Sequence, residues 1–227
     1  NLEGSYEIDT LRLLTVAFGM YGSNSKNYGD GFTTMYGANH EDIAYSYRTG
    51  NHGDGSWYSI NGNIDYQRTS RKNKQRMITF SYKINTQPQT SNSNTGYEDI
   101  HAKEEVDDLV KRLLLKNSQS DGKTNTMEQT FQVDYTTPIG ELHTVEAGAK
   151  YIFRRNTSDN KLYEAAGGSD DYLYNEDRSS DYRHLNHILA AYLGYTLKYK
   201  DFTFKPGVRY EQTVQRVKYI CLLYTSD

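Results

Sequence analysis

The chain has 227 residues, with 26 Lys and Arg against 29 Asp and Glu, and its formal net charge of −3 excludes the basic footprint of a nucleic-acid binder. Hydrophobic residues make up only 36% of it and mean hydropathy is −0.86, yet 22 tyrosines and an aromatic content of 13% exclude a disordered chain, which would be aromatic-poor. No apolar run approaches the ~18 residues of a membrane-crossing helix, so strands, which turn only alternate residues to lipid, are the one membrane option left.

In chain order, a stub leads into a tight Ile8-Asp9-Thr10 turn, and Leu14, Val16, Phe18 and Met20 then take one face of a strand. The clearest alternation follows, with Tyr58, Ile60, Ile64 and Tyr66 opposite Ser59, Asn61, Asn63, Asp65 and Gln67. Past the polar turn from Ser70 to Lys74, Ile78, Phe80, Tyr82 and Ile84 alternate with Thr79, Ser81, Lys83 and Asn85. The two runs predict an antiparallel hairpin. A stretch of another kind comes next: between Tyr97 and Leu115, Ile100, Val106, Leu109, Val110, Leu113 and Leu114 recur at helical spacing. They predict either a short helix packed in a loop or a loop hairpin around Arg112 to Leu115. The hairpin unit then returns as Phe131, Val133 and Tyr135, a Thr137-to-Gly140 turn, and Val145, Ala147, Ala149, Tyr151 and Phe153. It returns once more as Leu189, Ala191, Leu193, Tyr195 and Leu197, a Lys200-Asp201 turn, and Phe202, Phe204, Val208 and Tyr210.

The links near 8–10, 70–75, 137–142 and 200–201 are short, whereas those near 22–55, 88–125 and 157–181 are long, polar and rich in Gly, Asn, Ser and Asp. Equivalent hairpin positions recur about every 60–70 residues, longer than a solenoid repeat and suited to two strands plus one long loop. Tight turns alternating with long external loops are the rhythm of an outer-membrane barrel. Tyr58 and Tyr66 bracket an apolar face of ~27 Å along the strand, or ~20 Å along the membrane normal at a ~40° tilt, against an apolar band about 25 Å tall. A soluble β-sandwich also buries one face of each strand. Against it stand the uncharged apolar faces, the polarity of the opposite faces and the loop rhythm. The expected fold is all-β: an antiparallel transmembrane β-barrel segment of about eight strands of a larger barrel, with long external loops.

The runs Phe131-Gln132-Val133-Asp134-Tyr135-Thr136-Thr137-Pro138, Glu146-Ala147-Gly148-Ala149-Lys150-Tyr151 and Gly207-Val208-Arg209-Tyr210-Glu211-Gln212-Thr213 resemble the outer-membrane β-barrel domain of Bacteroidota-type TonB-dependent receptors. The resemblance runs from about residue 4 to residue 215. It implies a large barrel in the outer membrane of a Gram-negative bacterium, nutrient uptake, an N-terminal plug and an inner-membrane energy-coupling complex. Neither the plug nor a coupling segment is found in this sequence, and the chain, beginning at Asn1 in ordered sequence without a signal-peptide pattern, is expected to be an internal piece of a longer protein. Residues 1–216 are assigned to the barrel and 217–227 to a doubtful tail. From Cys221 to Asp227 that tail resembles translated sequencing-adapter read-through, and it is left out of the functional reading.

On the barrel reading, the lipid-facing residues are Tyr58, Ile60, Ile64, Tyr66, Ile78, Phe80, Tyr82, Phe131, Val133, Tyr135, Leu189, Leu193, Phe202, Phe204 and Val208. The lumen-facing charges are Asp65, Asp134, Glu146, Lys150, Lys205, Arg209 and Glu211, expected chiefly to pair across strands, acids of descending strands with bases of ascending ones. The segment from Thr157 to Asp181 gathers seven acids, among them Asp159, Glu164, Asp170, Asp171 and Asp181, without the spacing of a calcium loop, and reads as a solvated acidic loop. Its tyrosines Tyr163, Tyr172 and Tyr174 are weak candidates for stacking on a ligand.

His184 and His187 lie three apart on a strand and point to opposite faces, and His40, His52, His101 and His143 have no partner at ligand spacing. The one cysteine, Cys221, excludes a disulfide framework. No nucleophile elbow, phosphate-cradling glycine loop or zincin helix is present, so neither catalysis nor a cofactor nor a bound metal is expected. The expected partners are outer-membrane lipid and a ligand of unknown identity. A non-transporting structural or adhesion barrel, or a soluble β-sandwich binding module, is the alternative.

Overall fold

A computed structural model describes residues 1–38, 42–104, 107–111 and 115–220. The described chain forms one antiparallel sheet, in the order β1 (Leu2–Asp9), β2 (Arg12–Tyr36), β3 (Ile43–Thr69), β4 (Met77–Ala102), β5 (Lys116–Ile139), β6 (His143–Ala166) and β7 (Leu173–Tyr199), with β8 (Phe202–Phe204) and β9 (Gly207–Ile220) both paired to β7. The last two are one strand interrupted. The pairs Leu197–Phe204 and Gly194–Gly207 lie in the same register, and the break falls at Lys205-Pro206, where proline has no N–H to donate. Its carbonyl still accepts from Tyr195 N–H at 3.0 Å. The nine segments therefore amount to eight strands. Among the described residues no second sheet packs on either face, which removes the sandwich.

β2 to β7 are 24 to 27 residues long, so each reaches roughly 80–90 Å at ~3.3 Å per residue. Here the structure departs from expectation. The polar segments 22–55, 88–125 and 157–181 are mostly strand, and their turns shrink to 37–42, 103–115 and 167–172. The reason lies in what the alternation reports. From Tyr21 to Phe32 both faces of β2 are exposed, so no difference between faces is left to write into the sequence. The ladder from Tyr21–Ser59 to Phe32–Arg48 holds them chiefly by backbone hydrogen bonds, with the ring pairs Tyr21–Trp57 and Tyr28–His52 added across the two strands.

Buried apolar side chains are few. Ile188 and Ala190 lie on the polar face of β7, while Val110, Leu115 and Ala165 gather at the far tip. There the β4–β5 connection holds the three-residue turn α1 (Asp107–Leu109). In the stretch from Tyr97 to Leu115, β4 runs on to Ala102 and a three-residue helical turn stands at Asp107–Leu109; Val106, Arg112, Leu113 and Leu114, on which the choice between packed helix and loop hairpin rests, lie outside the described residues. The tip is tied to the β6–β7 turn by Gly167 N–H on the Lys111 carbonyl (2.9 Å), Gly168 N–H on the Tyr97 carbonyl (3.1 Å) and Asn117 Nδ2 on the Ser169 carbonyl (3.0 Å).

Candidate functional site

Register assembles the strand faces into two continuous surfaces. One row runs Leu14, Tyr66, Phe80, Val133, Ala149, Ala191, Tyr210, and the next runs Val16, Ile64, Tyr82, Phe131, Tyr151, Leu189. All fifteen apolar positions singled out from the sequence, from Tyr58 to Val208, fall on this one surface, the one also occupied by Ala147, Leu197 and Tyr195. Among the described residues nothing covers it: Ile64, Phe80, Phe131, Leu189 and Leu193 are 45–53% exposed. It carries no Asp, Glu, Lys or Arg from Leu14 to Asn24, Ser56 to Tyr66, Ile78 to Asn92, Asn125 to Thr137, Val145 to Phe153 or Leu185 to Leu197.

Aromatic rings knit the surface across strands. Tyr82 and Phe131 lie 4.8 Å apart between ring centres, Phe131 and Tyr151 6.3 Å, and Tyr66 and Phe80 6.3 Å. Polar atoms in this layer are satisfied locally: the Tyr151 hydroxyl bonds His187 Nδ1 at 2.8 Å, and the Tyr195 hydroxyl bonds His143 Nδ1 at 2.5 Å. Sequence spacing did not reveal these tyrosine–histidine pairs, because each joins neighbouring strands far apart in the chain. His184 turns to the other face, as strand geometry requires of a residue three before His187. His40 lies outside the described residues, and among the described residues no His, Cys, Asp and Glu cluster suits a metal.

The opposite surface holds all seven charges singled out from the sequence. Asp65, Ser81, Gln132, Lys150, Ala190 and Glu211 form one row, with Asp134, Gly148, Tyr192 and Arg209 in the next. The expected acid–base pairing between neighbouring strands is not what holds the aspartates. Asp65 Oδ2 accepts from Asn63 Nδ2 at 2.6 Å and Asp134 Oδ2 from Gln132 Nε2 at 2.8 Å, each from its own strand two residues before. Residues i and i+2 share a face, so a short amide reaches the carboxylate without crossing the sheet. Arg209 and Glu211 bond in the same way at 2.7 Å. Lys205 does reach Glu146, at 3.4 Å, and Arg154 pairs with Glu128 across β5 and β6 at 2.5 Å.

A recess of about 450 Å³ on this surface is lined by Asn61, Asn63, Lys83, Asn85, Glu128 and Lys150. The buried acceptors Asn63 Oδ1, Asp134 Oδ1, Asn156 Oδ1 and Asn186 Oδ1 find no partner among the described residues, and all lie on this side. Gly148 leaves space that the Tyr192 ring fills, and a Cβ there would meet that ring.

The acidic segment is not a loose loop. Glu164 on β6 is 11% exposed and takes Asn175 Nδ2 at 2.6 Å, Arg178 and, at 3.8 Å, Lys116. Burial raises its pKa, but the Asn175 hydrogen bond and the Lys116 and Arg178 charges more than offset that and hold it below the usual carboxylate range. A lowered folded pKa gives stability that is full above the unfolded value of about 4.3 and is lost as pH falls through the folded value. Hydrogen exchange, corrected for intrinsic rate, is therefore expected to show β7 opening around Asn175–Ser179, where its register with β6 shifts, between pH 5 and pH 3, with Glu164→Gln opening it at neutral pH. Equal protection of both proteins at pH 7 would remove this role. Among the tyrosines, Tyr163 and Tyr174 pack on each other at 5.5 Å.

Residues 70–222, more than half of the chain, match the model of the outer membrane protein beta-barrel family. No curated protein matches. Among solved structures, the crystal structure of the ferric citrate transporter FecA in the unliganded form is similar at 13% identity and a TM-score of 0.32, over 96% of this chain and 38% of that one.

Proposed function

The chain belongs to the outer membrane protein beta-barrel family, and on that premise we propose that its sheet is a sector of a nutrient-uptake barrel wall in the outer membrane of a Gram-negative bacterium. The observation that carries this reading is the broad, exposed, uncharged apolar surface set back to back with a surface of amides and charges. In lipid a strand must satisfy its backbone in a closed sheet and show hydrocarbon only apolar side chains. The first surface meets the second demand, and the fifteen positions from Tyr58 to Val208 are assigned to lipid. The seven charges from Asp65 to Glu211 are assigned to a wet lumen, where water or a polar plug satisfies the open amide acceptors. Because among the described residues β1 pairs only with β2, and β8 and β9 only with β7, closure requires further strands at both edges. The short turns face the periplasm and the long strand extensions rise outside the cell.

A receptor of the TonB-dependent type, with a plug and energy coupling and without catalysis, is the form of transport that the motif resemblance supports. Two results test it. The protein is expected in the outer-membrane fraction after carbonate washing. Deleting its gene is expected to remove growth on at least one nutrient too large for general porins, and a protonophore is expected to stop the same uptake in wild type. Unchanged growth on every large nutrient tried overturns the transport reading, and recovery in the aqueous fraction overturns the barrel.

A further inference from the structure

Where the apolar surface ends at the short-turn side, a recess of about 710 Å³ opens between the β1–β2 and β3–β4 turns. Part of its wall is apolar, formed by Met77, Ile78 and Tyr135, of which Ile78 and Tyr135 continue along the apolar surface into Tyr66 and Phe80. Its rim is basic, with five cations, Arg12, Arg68, Arg71, Lys72 and Arg76, against one carboxylate, Asp9. That carboxylate is already spent on Arg12, at 2.6 Å, and the Arg12 guanidinium together with the Leu11 N–H holds it below the usual carboxylate range.

Arg68 sits directly opposite Arg12 in the ladder. Like charges placed so are destabilising unless an anion separates them. Among the described residues Arg68, Arg71 and Lys72 have no acidic partner. The backbone that carries the cations is also held in place, together with the Arg76 side chain. Thr69 N–H donates to the Leu11 carbonyl at 2.8 Å, Ser70 N–H to the Arg76 carbonyl at 2.9 Å, Arg76 N–H to the Asn73 carbonyl at 3.0 Å and Arg76 Nε to Thr137 Oγ1 at 3.0 Å. The two turns thus form one pre-organised unit.

We propose that this recess binds an anionic glycerophospholipid of the periplasmic leaflet, its phosphate on Arg68, Arg71 and Lys72 and an acyl chain along Ile78, Tyr135 and Phe80. A free phosphate would need the cations and leave the apolar wall unused, whereas a phospholipid uses both at the depth where band and rim meet. The excess of cations selects an anionic headgroup over a zwitterionic one, since each basic side chain near a membrane surface favours anionic lipid. Arginine's planar fork suits phosphate oxygens. The inference rests on the membrane reading above and specifies a lipid contact which that reading does not require.

The test uses the full-length protein purified from membranes and exchanged into vesicles of phosphatidylcholine with one-fifth phosphatidylglycerol, followed by native mass spectrometry of the lipids it keeps. The wild type is expected to keep one phosphatidylglycerol under conditions that strip phosphatidylcholine, and 10 mM inorganic phosphate is expected not to displace it. The triple variant Arg68→Gln, Arg71→Gln, Lys72→Gln is expected to lose at least tenfold of that retention. Lys200→Gln, on another short turn, is expected to lose none, and heat-modifiable gel migration is the check that every variant is folded. Equal retention by wild type and triple variant overturns the site, and displacement by phosphate replaces the lipid with a free anion. A protein that floats with the vesicles but shows no headgroup preference ends this proposal and leaves the barrel standing. One that does not associate with vesicles at all ends both.

Discussion

Replacing Ile84 by Arg is expected to cost about 2–4 kcal/mol of folding stability in the bilayer, while Asn85→Arg, one residue away, stays within about 0.5 kcal/mol. Ile84 lies in the row Phe18, Gly62, Ile84, Gln129, midway between the rows of Tyr58 and Tyr66, with no charged residue on its face from Ile78 to Asn92. A guanidinium placed there has no partner and no path to water short of the band edge. Asn85 lies on the opposite surface, in a row with Asn61 and directly across the ladder from Glu128, where a cation gains a carboxylate. Chemical unfolding of the full-length protein in lipid vesicles reads the pair. Equal costs at the two positions would show that the surfaces do not face different solvents, and the membrane assignment would go with them.

Gly167→Ala is expected to open the far tip while leaving the banded strands untouched. A Cβ at Gly167 would fall well inside contact distance of the Leu115 carbonyl oxygen, and at 2.7 Å from Ile100 Cδ1. The first of these is backbone and cannot swing aside. Overpacking of this kind costs about 1–3 kcal/mol. The cost falls on a small unit: Val110 and Leu115, 1% and 4% exposed, with Ala165 beside them. The same substitution strains the Gly167 N–H bond to the Lys111 carbonyl that closes the unit. Hydrogen-exchange protection around 107–118 and 163–169 is expected to fall by about 10- to 100-fold, with that of 131–135 and 189–193 unchanged. Unaltered protection at the tip would show that the β4–β5 connection does not depend on this contact.

The strand faces were legible in the sequence because a sheet between two unlike solvents must alternate. Tyr58 to Gln67 and Phe131 to Thr136 needed nothing more than the period of two to be sorted into surfaces, and the turns at Ser70–Lys74 and Lys200-Asp201 followed from their composition. The outer halves of the strands were not legible. Ser23 to Gly31 are exposed on both faces, so no alternation of apolar and polar residues there records the ladder that holds them.

The helical spacing around Leu109 and Val110 announced a buried patch, but not that Gly167 and Ala165, more than fifty residues later, would cap it. Charge chemistry was misjudged for the same reason of distance. Asp134 looks toward Lys150 when strands are drawn side by side, yet the donor that reaches it is Gln132, two residues before on its own strand. Glu164 looked like one more solvated acid until β5 and β7 brought Lys116, Asn175 and Arg178 around it. Alternation, turn chemistry and the uncharged band are local consequences of solvent on each face, and the sequence by itself determined them. Which rows align, which carboxylate meets which donor, and that five cations of two separate turns ring one recess depend on register between strands, and that only the tertiary structure decided.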